Sequence, residues 1–171
     1  MILRIRNNFL PCCIMLLLCY SCSQSPLPPA VQEADNSIGD LKNSLVGTWW
    51  SDELIVGIDT INNSKTSVLL EIKKDEWEEK LNMKPIQTIF NPNKTYVSAY
   101  CNSEGKIIRV TAGKWTVEKN QLNIHQLFPN DKEMNYRINV DSGYAELRTK
   151  LDFDGDGKSD DLYYCQMKKI G

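Results

Sequence analysis

Histidine is nearly absent from this chain of 171 residues, which contains only His125. A zinc site needs several histidine or cysteine ligands grouped together, so this lone histidine does not indicate one. A large basic excess is also lacking, because 20 lysine and arginine residues face 22 aspartate and glutamate residues. Nucleic-acid-binding domains usually carry a strong positive field, so we expect no nucleic-acid partner. The G-x-S-x-G elbow, the P-loop and the dinucleotide fingerprint are missing too, and we expect no enzymatic activity.

Long hydrophobic runs are also missing, since the longest covers only residues 9–19 and contains Pro11. A helix that spans a membrane needs ~20 apolar residues, so this run is too short to cross one. Arg4 and Arg6 precede it, and residues 1–21 contain no acidic side chain. A basic start followed by a short apolar run is typical of a secretory signal peptide, which we assign to residues 1–21.

A small residue followed by cysteine ends this segment, at Ser21 and Cys22. The pair resembles the lipobox of bacterial lipoproteins, although Cys19 stands where that family favours leucine. The resemblance implies that Cys22 carries acyl chains, which would anchor the protein in a membrane. We then expect a lipid-anchored protein of the cell envelope, on the outer membrane and facing the periplasm. The alternative is an ordinary signal peptide and a soluble periplasmic protein.

Residues 22–43 are predicted to form a flexible tether. Pro26, Pro28 and Pro29 lie there among serine, asparagine and acidic residues, without apolar periodicity. A segment of this composition cannot bury a core and stays extended. The tether would hold the following domain away from the bilayer.

Residues 44–171 form the predicted folded domain. Short runs there alternate between apolar and polar side chains, and turn-forming residues separate them; the clearest are residues 95–101, 108–117, 136–140, 145–151 and 162–167. This pattern predicts an all-β fold, an up-and-down antiparallel β-barrel of about eight to ten strands. Val68 to Ile72 is a further predicted strand. Lys73 to Leu81 breaks the alternation, and Trp77 and Leu81 lie four residues apart, which predicts one short helix.

The domain resembles the bacterial lipocalin-like lipoproteins in the order of its short motifs. Gly47-Thr48-Trp49-Trp50 opens it, Gly113-Lys114-Trp115 follows, and Leu122-Asn123-Ile124 comes next. The resemblance implies a barrel with one closed end and an interior that holds an apolar ligand. Trp49, Trp50 and Trp115 then have two interpretations, as plugs at the base of the barrel or as part of the lining of a ligand cavity.

An aspartate-rich loop is the sharpest chemical signal. Residues 152–161 read D-F-D-G-D-G-K-S-D-D. The expected ligands of a calcium ion are the carboxylates of Asp152, Asp154, Asp156 and Asp160 and the carbonyl of Lys158. The loop resembles calcium loops but departs from the EF-hand, because Tyr163 occupies the position of the final glutamate. The alternative is a metal-free polar hairpin that uses aspartate and glycine for turn geometry.

Two cysteines, Cys101 and Cys165, remain within the folded domain. The oxidising envelope permits a disulfide between them. The alternative is two separate buried thiols.

Two functions follow from these observations. The first is a membrane-anchored binding module for a small apolar ligand. The second is a structural lipoprotein with a filled barrel and a calcium-stabilised hairpin, which docks onto an envelope protein. A cavity of a few hundred Å³ would favour the first, and a plugged barrel would favour the second.

Overall fold

A computed structural model describes residues 34–58 and 66–170 of the chain. For residues 34–39 it describes the backbone but not the side chains. The predicted signal peptide, the proposed lipidation site at Cys22 and the first part of the tether lie outside the described residues. The elements are α1 (Ala34–Leu45), β1 (Gly47–Ile58), β2 (Val68–Ile72), a 3₁₀ turn (Lys74–Glu76), α2 (Trp77–Leu81), β3 (Gln87–Phe90), β4 (Thr95–Cys101), β5 (Ile107–Glu118), β6 (Gln121–Phe128), β7 (Lys132–Asp141), β8 (Tyr144–Leu151) and β9 (Asp161–Lys169).

Eight of the strands close into an antiparallel barrel, as the alternating pattern predicts. From β3 to β9 each strand pairs with the next one along the chain, and β1 closes the ring between β3 and β9. The ninth strand, β2, lies outside this ring and pairs with the second half of β1. Because the ring is closed, its eight strands leave few unpaired edges for other chains to join.

The period of two in the sequence corresponds to the two faces of the barrel wall. Along β5, Thr111, Gly113, Trp115 and Val117 are buried, whereas Lys114 and other intervening residues are more exposed. Successive side chains of a strand point to opposite faces, so the buried set lines the interior.

One end of the barrel, here called the closed end, contains α1, the start of β1 and the turns that precede β4, β6 and β8. Helix α1 packs against β5 and β7, and Leu45 at its last position is fully buried in the core. The prediction of a tether through residue 43 is therefore wrong for residues 34–43, which are helical. Leu41 and Leu45 lie four residues apart and face the core together, a short helical pattern that the polar composition concealed.

The predicted helix between β2 and β3 is present as a 3₁₀ turn followed by α2. Trp77 is buried in the core, and Lys80 forms an ion pair of 2.8 Å with Glu76 on the exposed face. Asn82 then takes a left-handed conformation that ends the helix. Neither α1 nor α2, nor any other helix of the described part, is long and apolar enough to cross a membrane.

Candidate ligand-binding cavity

The barrel interior contains a cavity of about 360 Å³. It extends to the end opposite α1, here called the open end, where the connections β4–β5, β6–β7 and β8–β9 lie. Each of the strands from β3 to β9 contributes residues to its lining. The barrel is therefore packed at its closed end and hollow towards its open end.

One wall of the cavity is a row of hydroxyl groups, here called the hydroxyl wall. Thr88, Ser98 and Thr111 are direct cross-strand neighbours on β3, β4 and β5, and all three are buried. The hydroxyl oxygens of Thr88 and Ser98 form a hydrogen bond of 2.8 Å. This row gives the cavity donors and acceptors halfway along the barrel.

The phenol of Tyr96 adds an unsatisfied group next to this wall. Its ring is 4% exposed, and its hydroxyl lies near Thr111 but makes no hydrogen bond of acceptable geometry with any described residue. Burial raises the pKa of Tyr96 above its usual value, so the hydroxyl keeps its proton at neutral pH. Buried polar groups nearly always have a partner, and a ligand or a water in the cavity would supply one.

The opposite wall is largely apolar and comes from β7, β8 and β9. The rings of Tyr136 and Tyr163 meet edge to face with centroids 5.9 Å apart, and Met134 and Leu147 flank them. Burial raises the pKa of both tyrosines well above the usual value, so they remain neutral. We call this surface the aromatic wall. A ligand in the cavity would meet polar groups on one side and flat apolar groups on the other.

Two cationic side chains line the cavity at the open end. Arg109 and Lys132 occupy inward positions on β5 and β7, and both remain partly in solvent. The guanidinium carbon of Arg109 lies 5.3 Å from the centroid of the Tyr100 ring, within cation–π range. No described carboxylate lies within ion-pair distance of either cation.

The three predicted tryptophans do not line this cavity. Trp49 is buried at the closed end and donates a hydrogen bond of 2.7 Å from Nε1 to the carbonyl of Leu45. Trp115 is also buried there and meets the ring of Phe90 edge to face at 5.7 Å. Trp50 is 48% exposed, so neither predicted role applies to it. Because Trp50 follows Trp49 on the same strand, it must point to the outer face.

Cys101 and Cys165 are both unpaired thiols. They lie on β4 and β9, which β1 and β3 separate in the barrel, so the disulfide alternative is not formed. The Sγ of Cys165 lies 3.6 Å from the Oγ of Ser51, and both residues line the cavity. Burial raises the pKa of the Cys165 thiol to about 11, which keeps it protonated at neutral pH.

The aspartate-rich loop lies at the rim of the cavity, and Asp152 and Phe153 form part of the lining. Asp152, Asp154 and Asp161 each bring one carboxylate oxygen within 4.8 Å of the others. The predicted ligand Asp160 is not in this group. Asp161 replaces it because it is the first residue of β9 and is buried, where its Oδ2 accepts a 2.7 Å hydrogen bond from the N–H of Phe153.

The other predicted ligands also lie outside this group of three. Asp156 Oδ1 accepts a 2.8 Å hydrogen bond from the N–H of Lys158, and Lys158 Nζ lies 3.8 Å from Asp156 Oδ2. That Oδ2 is buried and has no hydrogen bond. Asp152 accepts hydrogen bonds from the N–H groups of Gly155 and Gly157, at 2.8 and 3.1 Å. These bonds are what a polar hairpin requires, and they leave both alternatives for the loop open.

Sequence reasoning missed the hydroxyl wall, Tyr96 and the two cations of the open end. Such residues could have been found as polar or charged side chains at the inward positions of alternating strands. That Thr88, Ser98 and Thr111 lie side by side, however, is known only once the register between the strands is known. Comparison of the chain with known protein families and with curated protein sequences gives no match. The function of this protein must therefore be inferred from the geometry of the barrel.

Proposed function

We propose that this protein is a binding module that holds one small molecule inside its barrel. The observation that carries this proposal is the cavity of about 360 Å³ between the hydroxyl wall and the aromatic wall. Ligand pockets usually measure roughly 300–1,000 Å³, so this cavity suits one small ligand. Its mixed lining favours an amphipathic ligand over the purely apolar one that the sequence suggested.

The position of the tryptophans also supports binding over a filled barrel. An eight-stranded barrel is just wide enough to be filled by side chains or to hold one small ligand. Trp49 and Trp115 fill the closed end, while the middle of the barrel is lined by small side chains such as Ser51, Thr88 and Ser98. These residues leave space that leucine or phenylalanine would occupy.

A pair of variants on one strand tests the proposal. Ser98 faces the cavity, and its neighbour Val97 is on the outer face and 38% exposed. Native mass spectrometry of protein purified from its own host should detect a 1:1 adduct in the wild type and in Val97→Phe. Ser98→Phe should lose the adduct while remaining folded by circular dichroism. A wild type without an adduct, or an adduct that survives Ser98→Phe, would contradict binding in the barrel.

The proposal places this module on a membrane of the cell envelope, the outer membrane facing the periplasm, through acyl chains on Cys22. Its support is the sequence at Ser21 and Cys22 after a short apolar run. Palmitate labelling of the full chain in a bacterial host should mark the wild type. Label retained by Cys22→Ala would reject the anchor.

We further propose that the aspartate-rich loop binds one calcium ion and pins the β8–β9 hairpin beside the cavity. Asp152, Asp154 and Asp161 bring three oxygens together, and calcium prefers oxygen ligands of this kind. The buried Asp156 Oδ2, which has no hydrogen bond, is a further carboxylate oxygen in the same loop. Close carboxylates repel each other, and a bound cation would remove that repulsion.

Thermal denaturation tests the calcium site. Millimolar calcium should raise the melting temperature of the wild type above its value in EGTA. Asp154→Asn should abolish this shift, whereas Asp141→Asn, at the exposed last position of β7, should keep it. An unchanged melting temperature in the wild type would leave the metal-free hairpin as the correct interpretation.

A further inference from the structure

We infer that the ligand of the cavity is a small organic anion, with a carboxylate at the open end and a flat apolar body against the aromatic wall. The inference rests on the proposed binding function and specifies its ligand. The decisive feature is the pair of inward cations, Arg109 and Lys132, which line the cavity at its open end.

The nearby carboxylates do not neutralise these cations. Asp152 accepts hydrogen bonds from Gly155 and Gly157, and Asp161 accepts them from Phe153 and Asp154, so both are committed to their own loop. Within residues 34–58 and 66–170, no ion pair involves Arg109 or Lys132. An anion bound at this end of the cavity would supply the missing charge.

Arg109 is held in a position that favours this role. Its guanidinium lies over the ring of Tyr100, its direct partner on β4, and its strand neighbour on the inner face is Thr111 of the hydroxyl wall. A planar guanidinium can donate two parallel hydrogen bonds to a carboxylate. Lys132 adds a second positive charge from β7, next to the apolar Met134.

The interior specifies the remainder of the ligand. Tyr136 and Tyr163 offer flat apolar surface, which aromatic ligands contact edge to face or offset. The hydroxyl of Tyr96, deeper than Arg109 on the neighbouring strand, lacks a hydrogen bond of acceptable geometry. A ligand with one further polar atom near its inner end would satisfy this group.

Two isosteric probes separate charge from shape. Naphthalene-2-carboxylate and naphthalene-2-carboxamide have the same size and the same aromatic body, and only the first is anionic. Isothermal titration of the full chain at low salt should show the carboxylate binding at least tenfold more tightly than the carboxamide. The ratio should shrink at high salt, because screening weakens partly exposed charge pairs.

Arg109→Gln should lower this ratio, and adding Lys132→Gln should reduce it to about one. Lys114→Gln is the matched control, since Lys114 is exposed on the outer face of the same strand. Equal affinities of both probes for the wild type would refute the anion and leave the binding function standing. A preference that survives the double variant would also refute it. Failure of both probes to bind would overturn this ligand class, whereas the binding function itself is decided by the native mass spectrum.

Discussion

Gly113 offers the strictest test of the barrel geometry, because an added methyl group there would meet backbone atoms. The register between β5 and β6 shifts at this residue, where Ala112 pairs with Phe128 and Gly113 with Gln126. A Cβ at Gly113 would lie 2.9 Å from the Cα of Gln126 and from the carbonyl carbon of His125, and closer still to the carbonyl oxygen of His125. These atoms belong to the barrel wall and cannot rotate away.

The magnitude of the effect follows from this geometry. Ordinary contacts of a Cβ begin at 3.4 Å, so β6 would have to retreat by about 0.5 Å at Gln126 and further at the His125 carbonyl. Overpacking of this kind typically costs ~1–3 kcal/mol, and the weakening of one or two ladder hydrogen bonds adds ~1 kcal/mol each. We expect Gly113→Ala to lower the free energy of unfolding by about 4 kcal/mol.

Urea denaturation followed by tryptophan fluorescence measures this change. With a slope of ~2 kcal/mol per molar, the midpoint should fall by about 2 M without a change of slope. Gly57→Ala in β1 is the control, because its Cβ would make only ordinary contacts of 3.5 Å or more. That variant should be as stable as the wild type or up to ~1 kcal/mol more stable. A Gly113→Ala protein within 1 kcal/mol of the wild type would refute the close approach of β5 and β6.

Three further predictions concern the hydroxyl wall and the two thiols. Thr88→Val removes the 2.8 Å hydrogen bond to Ser98 and should lower the free energy of unfolding by ~1–2 kcal/mol. In a Ser98→Ala background the same substitution should cost less, because the partner is already gone. An unchanged urea midpoint in Thr88→Val would contradict the hydroxyl wall. Burial raises the pKa of Cys165 from 9.0 to about 11, so the contribution of this thiol to stability is complete below pH 9 and is lost as the pH rises to 11, by ~3 kcal/mol. Urea midpoints at pH 8 and pH 11 should therefore differ more in the wild type than in Cys165→Ala. Iodoacetamide at pH 8 should modify Cys101 well before Cys165, as peptide mapping would report.

The sequence predicted the fold well because the barrel wall is regular. Alternation along β4, β5, β7, β8 and β9 is visible without any long-range information, and the turns between them contain the expected asparagine, glycine and proline residues. The count of barrel strands is also within the predicted range. Local pattern was sufficient for these elements because each strand buries one face and pairs with its neighbour in the chain.

The elements outside the ring were harder to predict, because their contacts are long-range. Helix α1 has few apolar positions, and its contacts with β5, with β7 and with Trp49 stabilise it. Strand β1 is longer than β3, which pairs only with its first residues, Gly47 to Trp50. The same edge of β1 is therefore open from Leu54 to Ile58, and β2 pairs there. Neither the helix contacts nor this difference in length can be read from a local window.

The aspartate-rich loop shows the limit of motif spacing. A loop template assigns positions by counting, which selected Asp160 at position nine. The structure instead groups Asp161 with Asp152 and Asp154, because Asp161 is the buried first residue of β9 and Asp160 lies outside the group. Adjacent residues at a strand boundary are distinguished by the faces of the sheet and not by their order in a motif.

The polar side chains that line the cavity favour a binding role over a purely structural one. A barrel that served only as a rigid support would gain stability by filling its centre with aliphatic side chains, since buried hydroxyl and phenol groups cost free energy unless they are hydrogen-bonded. Here the apolar filling is concentrated at the closed end around Trp49 and Trp115, while Thr88, Ser98 and Tyr96 face the space that remains. The centre of this barrel is not filled by its own side chains. A ligand that packs against the lining and bonds its polar groups explains this better than a need for rigidity does.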